Sequence, residues 1–220
     1  ESVLFDEVND AYKRITTQMF NHPNAKNACE GPEVLADLTT MDGKLERIQK
    51  SLDQYLETKR MFFPRFYFLS NDDLLEILGQ QKDPAQVQKH IKKCFEGAKQ
   101  MILVAPFVKG NRTYEAEGFL APDGEQIAFN KNVQCDGAVE QWMVALEEMM
   151  VVSLQKISTG CLQGFRGKKD KWVHQWPGQL LITAGMIVWT SDCTRALGQV
   201  ASGHRNALRQ LKKKQVGYLN

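Results

Sequence analysis

Four histidines (His22, His90, His174 and His204) and five cysteines (Cys29, Cys94, Cys135, Cys161 and Cys193) are the residues of this 220-residue chain best suited to metal ligation, proton transfer or nucleophilic attack. A metal site would need them paired at short intervals, as in H-E-x-x-H or C-x-x-C, and no such pair occurs. No G-x-S-x-G elbow or S-x-x-K run is present to activate a serine. The cysteines, odd in number and widely spread, read as reduced thiols of a cytosolic or ciliary compartment. The sequence therefore assigns no catalytic, cofactor-binding or metal-ligating residue, and an enzyme is not expected.

Three stretches could still hold a ligand. Gly160 to Lys169 approaches a phosphate loop, G-x-x-x-x-G-K-[ST]. However, Lys169 stands where the Mg²⁺-holding hydroxyl belongs, and Leu162 where the first glycine belongs. It reads as a solvated loop between helices. After Asp192 no acid follows, while Arg195, Arg205, Arg209, Lys212, Lys213 and Lys214 do. Such a basic stripe could grip RNA phosphates or an acidic protein partner. The plainer reading is a solvated face with cations near a helix C-terminus, where the helix dipole favours them. The third stretch is Lys59 to Leu78, KRMFFPRFYFLSNDDLLEIL, with Phe62, Phe63, Phe66, Tyr67 and Phe68 inside seven residues. A pocket, a base-stacking platform or a buried structural joint would all use these residues.

The elements around these stretches favour the joint. Val3 to Phe20 carries apolar residues at helical spacing, and His22-Pro23 and Gly31-Pro32 break it. A second helix is expected from about Glu33 to Arg60. Leu38, Leu45 and Leu52 recur every seven residues there, as do Met41, Ile48 and Tyr55, the pattern of a packed seam in a helical bundle. Pro64 ends it, and residues 65–69 are expected to be extended. Ser70 or Asn71 caps the next helix, with Asp72 and Asp73 in its first turn. Asp83-Pro84 repeats the device for a helix reaching about Ala98.

The period then changes. MILVAPFV reads as a strand, and residues 113–130 as a hairpin turning at Pro122-Asp123-Gly124. Helical spacing returns from Val139 to Ile157. A later helix, around Leu180 to Ala196, is apolar on more than one side and is expected to be buried. The fold is read as mainly α with a small β-hairpin insertion. Its parts are a helical bundle over 1–100 with the aromatic joint at 59–78, strands over 101–134, and a second bundle over 135–220.

Hydrophobic residues at 43%, charged residues at 25% and a net charge of +2 are ordinary globular values. They do not ask for nucleic acid or membrane. No apolar run reaches the ~18 residues that span a bilayer. The acidic start ESVLFDEVND lacks a basic n-region, so a signal peptide is not expected. The absence of an initiating Met suggests a segment cut from a longer chain.

At KRMFFPRFYFLSNDDLLEIL the sequence closely resembles the linker region of dynein heavy chains. DPAQVQKHIKKCFEG, EGFLAPDGEQIAFNKNV, GAVEQWMVALEEMM and WVHQWPGQLLITAGMIVWT resemble the helix, hairpin, helix and Trp-rich helix that follow in that family. The match covers roughly residues 33–200. KNVQCDGAVEQW looks more like axonemal than cytoplasmic heavy chains.

The resemblance implies an elongated helical-bundle rod, a non-catalytic lever laid across a ring of AAA+ modules in a minus-end-directed microtubule motor. It implies that ATP and Mg²⁺ belong to the downstream ring and that this segment holds no cofactor. The implied partners are the ring of the same heavy chain, other dynein subunits and, through the parent alone, microtubules. The implied location is the cytoplasm, cytoskeleton and the axoneme of a cilium or flagellum. In this setting Phe62, Phe63, Pro64, Arg65, Phe66, Tyr67 and Phe68 are expected to form a structural joint. Phe62, Phe63, Phe66 and Phe68 would lock two bundles together, while Arg65 and Tyr67 would satisfy helix-end carbonyls or face the ring. Glu115, Glu117, Asp123 and Lys131 of the hairpin are the candidate contact surface for the ring.

Overall fold

The structure, a computed structural model, describes residues 1–31, 33–80, 83–105, 107–108 and 111–218. It is mainly α with a small antiparallel sheet, as the spacing predicts. The chain divides into two compact units, Glu1–Leu75 and Glu76–Asn220. The expected boundaries near residues 100 and 134 do not coincide with this division, because the strands share a unit with the helices on either side of them.

The first unit holds α1 (Ser2–Asn21), α2 (Ala25–Cys29), α3 (Val34–Phe62), a 3₁₀ turn (Pro64–Phe68) and the start of α4 (Asn71–Gly79). Helices α1 and α3 form an antiparallel hairpin. Val8, Ile15 and Met41 are buried between them, with Ala11 and Met19 packed alongside. One edge of this hairpin is polar. Glu7 pairs with Lys44 at 2.7 Å, Arg14 with Asp37 at 2.8 Å, and Ser51 donates to Glu1 at 2.8 Å. The other edge is an open apolar groove that includes Phe5, Tyr12, Leu38 and Leu45. The heptad seam is thus only partly used within this chain. Met41 is buried, whereas Leu38, Leu45, Leu52 and Tyr55 stay exposed, because a single neighbouring helix covers one stripe and not two.

The second unit starts within α4 and continues through α5 (Pro84–Cys94), five strands and four more helices. Asp83 caps α5 by accepting from Ala85 N at 3.1 Å, and Pro84 takes the first turn. The helix stops short of the expected Ala98, because Phe95 leaves the helical region at φ −126°, ψ 95° and is buried there.

The main sheet has the order β1–β4–β5, with β1 Gln100–Val104, β4 Glu115–Leu120 and β5 Gln126–Gln134. Between β1 and β4 lies a separate antiparallel pair, β2 (Phe107–Val108) and β3 (Asn111–Arg112). At the edge strand β1, the Gln88 side chain stands in for a neighbouring strand. Its amide donates to Met101 O at 2.9 Å, and its carbonyl accepts from Met101 N at 2.8 Å. Strands β4 and β5 cross so closely at Gly118 that a Cβ there would lie 2.2 Å from the Ile127 carbonyl oxygen.

The C-terminal helices are α6 (Val139–Gly164), α7 (Lys169–Val173), α8 (Gly178–Ala201) and α9 (Ala207–Val216). The α6 face with Val139, Trp142, Met143 and Leu146 is buried. Its far end joins a second core of Cys161, Trp172 and Ala184, with Phe165, Trp176, Leu180 and Leu181 packed against it. The expected loop from Gly160 to Lys169 is mostly helix, and only residues 165–168 turn. Gly160 lies inside α6 because the Trp176 indole fills the space its side chain would take, 2.8 Å from an added Cβ. Helix α8 is apolar on two sides, as read, but is not buried on both. Ala184 and Ala196 are buried, whereas Ile182, Met186, Trp189 and Leu197 are exposed.

Candidate functional site

The aromatic stretch closes the C-terminal end of α3. Phe63 leaves the helix at φ −126°, ψ 94°, its N–H still donating to Lys59 O, and Pro64 opens the next turn. Residues 64–68 are not extended, as the sequence suggests, but a 3₁₀ turn. Phe66 N donates to Phe63 O at 3.0 Å, and Leu69 N to Phe66 O at 3.1 Å. Proline fixes one φ in the helical range, and the short i to i+3 bonds complete the turn.

This geometry splits the aromatics. Phe63 and Phe66 are fully buried and meet edge to face, with centroids 4.9 Å apart at 82°. Phe62, Tyr67 and Phe68 are 54%, 54% and 71% exposed, so Phe62 and Phe68 do not lock the joint as the sequence reading has it. A tight helical turn cannot turn all five of these rings to one side. Arg65 is half-buried.

The polar bonds of the joint come partly from residues that sequence reasoning overlooked. Arg60 donates to Leu69 O at 3.1 Å and to Asn71 Oδ1 at 2.8 Å, bridging the end of α3 to the start of α4. Asn71 Nδ2 reaches Asp53 Oδ1 at 3.3 Å. Tyr67 Oη donates to Glu57 Oε1 at 2.6 Å, and that bond raises the phenol above its ordinary 10.0. The next helix is capped reciprocally. Ser70 Oγ accepts from Asp73 N at 3.2 Å, and Asp73 Oδ2 accepts from Ser70 N at 3.4 Å. The signal for Arg60 was present as a cation in the last helical turn.

The hairpin residues are scattered in role. Glu115 accepts from Asn132 Nδ2 at 3.0 Å across the ladder. Asp123 accepts from Glu125 N at 3.1 Å and shapes the turn. Glu117 and Lys131 are exposed. The register jumps between Ala116 and Gly118, so residues 129–132 of β5 bulge opposite Glu117. This bulge is held from below, since Asn130 N donates to the buried Ser153 Oγ of α6 at 2.9 Å. Of the four hairpin residues, Glu117 on the central strand and Lys131 on the outer strand are thus exposed, and Asp123 and Glu115 are tied within the hairpin. Glu125, which the sequence reading did not select, accepts from Gly178 N at the start of α8 at 2.7 Å.

No group of three or more His, Cys, Asp or Glu side chains able to hold a metal occurs among the described residues. Burial pushes the Cys135 thiol up to about 12 and the Cys161 thiol upward as well. No described helix is long and apolar enough to cross a membrane.

Residues 1–161 match the family model for dynein heavy chain, N-terminal region 2. The whole chain is 46% identical to the dynein-1-beta heavy chain of the flagellar inner arm I1 complex of Chlamydomonas reinhardtii, and 45% identical to human dynein axonemal heavy chain 2. It is 34% identical to human dynein axonemal heavy chain 6, again over its full length. The chain spans only 5%, 5% and 6% of the length of these relatives.

Proposed function

Because the chain belongs to the dynein heavy chain family, we propose that it forms part of the linker of an axonemal heavy chain. It is read as a non-catalytic lever that carries ATP-driven changes of the AAA+ ring into movement along a microtubule. Its place would be the axoneme of a cilium or flagellum, with the ring of the same heavy chain and other subunits as partners. ATP and Mg²⁺ would be bound and used in the ring.

The reading rests above all on whole-chain similarity to flagellar and axonemal heavy chains. The way the joint is built supports it. A lever must pass force without softening, so its direction changes need discrete, packed elbows. The Phe63–Phe66 pair, the Arg60 bridge and the Ser70–Asp73 capping box fix such an elbow with bonds to both flanking helices.

The test uses the full-length motor. A four-residue Gly-Ser insert between Leu69 and Ser70 should leave the ATPase running and cut microtubule gliding velocity several-fold. Gliding at the wild-type velocity would overturn the lever reading. Reversing Glu115 and Glu117 to lysine in the same motor probes the hairpin as a ring contact. Unaltered gliding and ATPase coupling would remove that role.

A further inference from the structure

A cleft of about 710 Å³ opens where the C-terminal ends of α6 and α9 meet the middle of α8. Four cations line it, Arg166, Lys169, Arg195 and Lys214, against one carboxylate, Asp192. That carboxylate is 8% exposed and already matched. Lys214 reaches it at 2.7 Å and Arg195 stands 3.8 Å away. Lys169 donates to Phe165 O, with its ammonium 3.7 Å from the Phe165 ring centroid and 4.9 Å from that of Tyr218. Arg166 has no acidic partner among the described residues. Leu162, Ile187 and Val188 give the wall an apolar part, and Ser191 adds a hydroxyl.

We propose that this cleft is a docking site for an acidic, partly apolar protein segment, whose carboxylates pair with Arg166 and Arg195 while its apolar side chains lie on Leu162, Ile187 and Val188. The excess positive charge calls for anionic oxygens. Two features select a peptide carboxylate over a phosphate or a nucleic acid. The long helices that end at the cleft, α6 and α9, present C-termini, whose carbonyls repel a compact dianion, and the N-terminus there belongs to the five-residue α7. The Tyr218 ring already carries Lys169 and, at 5.8 Å, Lys214, so its faces are not free to stack a base. Arginine forks exposed at the rim suit planar carboxylates. The inference does not depend on the lever reading, since it concerns a partner of this surface and not the movement of the chain.

The experiment measures fluorescence anisotropy of a labelled octapeptide of alternating glutamate and leucine with the 220-residue chain. A glutamine-for-glutamate peptide, inorganic phosphate and a labelled single-stranded oligonucleotide serve as competing or alternative probes. The glutamate peptide should bind, weaken with salt and outcompete the others. Arg166→Glu with Arg195→Glu should lower its affinity by about tenfold or more. Lys212→Glu with Lys213→Glu, on α9 beside Lys214 but outside the cleft, should change it by less than about threefold. Circular dichroism confirms that both variants keep their helices; if the cleft pair unfolds, Arg166→Gln with Arg195→Gln replaces it. Equal loss in the two variant pairs, binding of the glutamine peptide as tight as that of the glutamate peptide, or displacement by phosphate or the oligonucleotide would each overturn the proposal.

Discussion

Glu125 Oε1 accepts a 2.7 Å hydrogen bond from the backbone N–H of Gly178, 53 positions further along the chain. The bond joins the tip of the β4–β5 hairpin to the first turn of α8, a helix whose own N-cap, Pro177, supplies no side-chain acceptor. The carboxylate therefore satisfies an orphan amide and meets the positive end of the helix dipole together.

Removing that acceptor should be measurable. Glu125→Ala is expected to lower stability by about 1–2 kcal/mol, the usual cost of deleting an N-terminal cap. Glu125→Gln, which keeps an oxygen but not the charge, should lose about half of that. Thermal unfolding of the two variants beside the parent chain checks the ordering. An alanine variant melting with the parent would show that water replaces the carboxylate without loss.

The two classes of aromatic in the 62–68 turn should separate cleanly. Phe66→Ala opens a cavity in a fully buried, edge-to-face pair and should cost about 3–5 kcal/mol. Phe68→Ala removes a ring that is mostly in solvent and should stay within about 0.5 kcal/mol of the parent. Urea unfolding at constant m-value distinguishes them. Equal losses would mean that Phe68 is covered in solution, as the sequence reading supposed.

These contrasts show what the sequence made legible. Helix starts were readable where the capping chemistry is local, as at Ser70 with Asp73 and at Asp83-Pro84. The hairpin turn was readable because Asp123 bonds to an amide two residues on. Which faces are covered was not, since Leu38 and Ile182 have the spacing of core residues and yet are exposed. Spacing reports what a helix offers, and burial depends on what lies beside it. The bond from Glu125 to Gly178 and that from Gln88 to Met101 were hidden for the same reason, because their partners are distant in sequence. The 3₁₀ turn was missed because the restraint proline places on its predecessor says little about the residues that follow.

Two glycine substitutions should move stability in opposite directions. Gly118→Ala drives a methyl into the Ile127 carbonyl, a backbone atom held by the ladder, and should cost about 1–3 kcal/mol. Gly43→Ala sits in the exposed middle of α3 with nothing within 4 Å of the new methyl, and should gain about 1 kcal/mol from helix propensity. Chemical denaturation of both variants tests the pair. A stable Gly118→Ala would mean that β4 and β5 separate at the bulge at little cost.

Cys135 should make the fold sensitive to alkali. Burial holds its thiol up to about 12, above the ordinary 9.0, so the folded chain keeps the proton where the unfolded chain loses it. A group raised in this way lends its stability in full below pH 9, and that stability is lost as pH climbs toward 12. In this window unfolding releases close to one extra proton, which lowers stability by about 1.4 kcal/mol per pH unit at most. Other groups titrate in the same range, so the informative quantity is the difference between the parent and Cys135→Ala. The parent should lose stability more steeply between pH 9 and 11, with the two curves parallel below pH 8. Thiol labelling at pH 8.5 gives an independent reading: the exposed Cys29 should react fast, and Cys135 only on unfolding. Parallel curves throughout, with Cys135 labelled as fast as Cys29, would place that thiol in water.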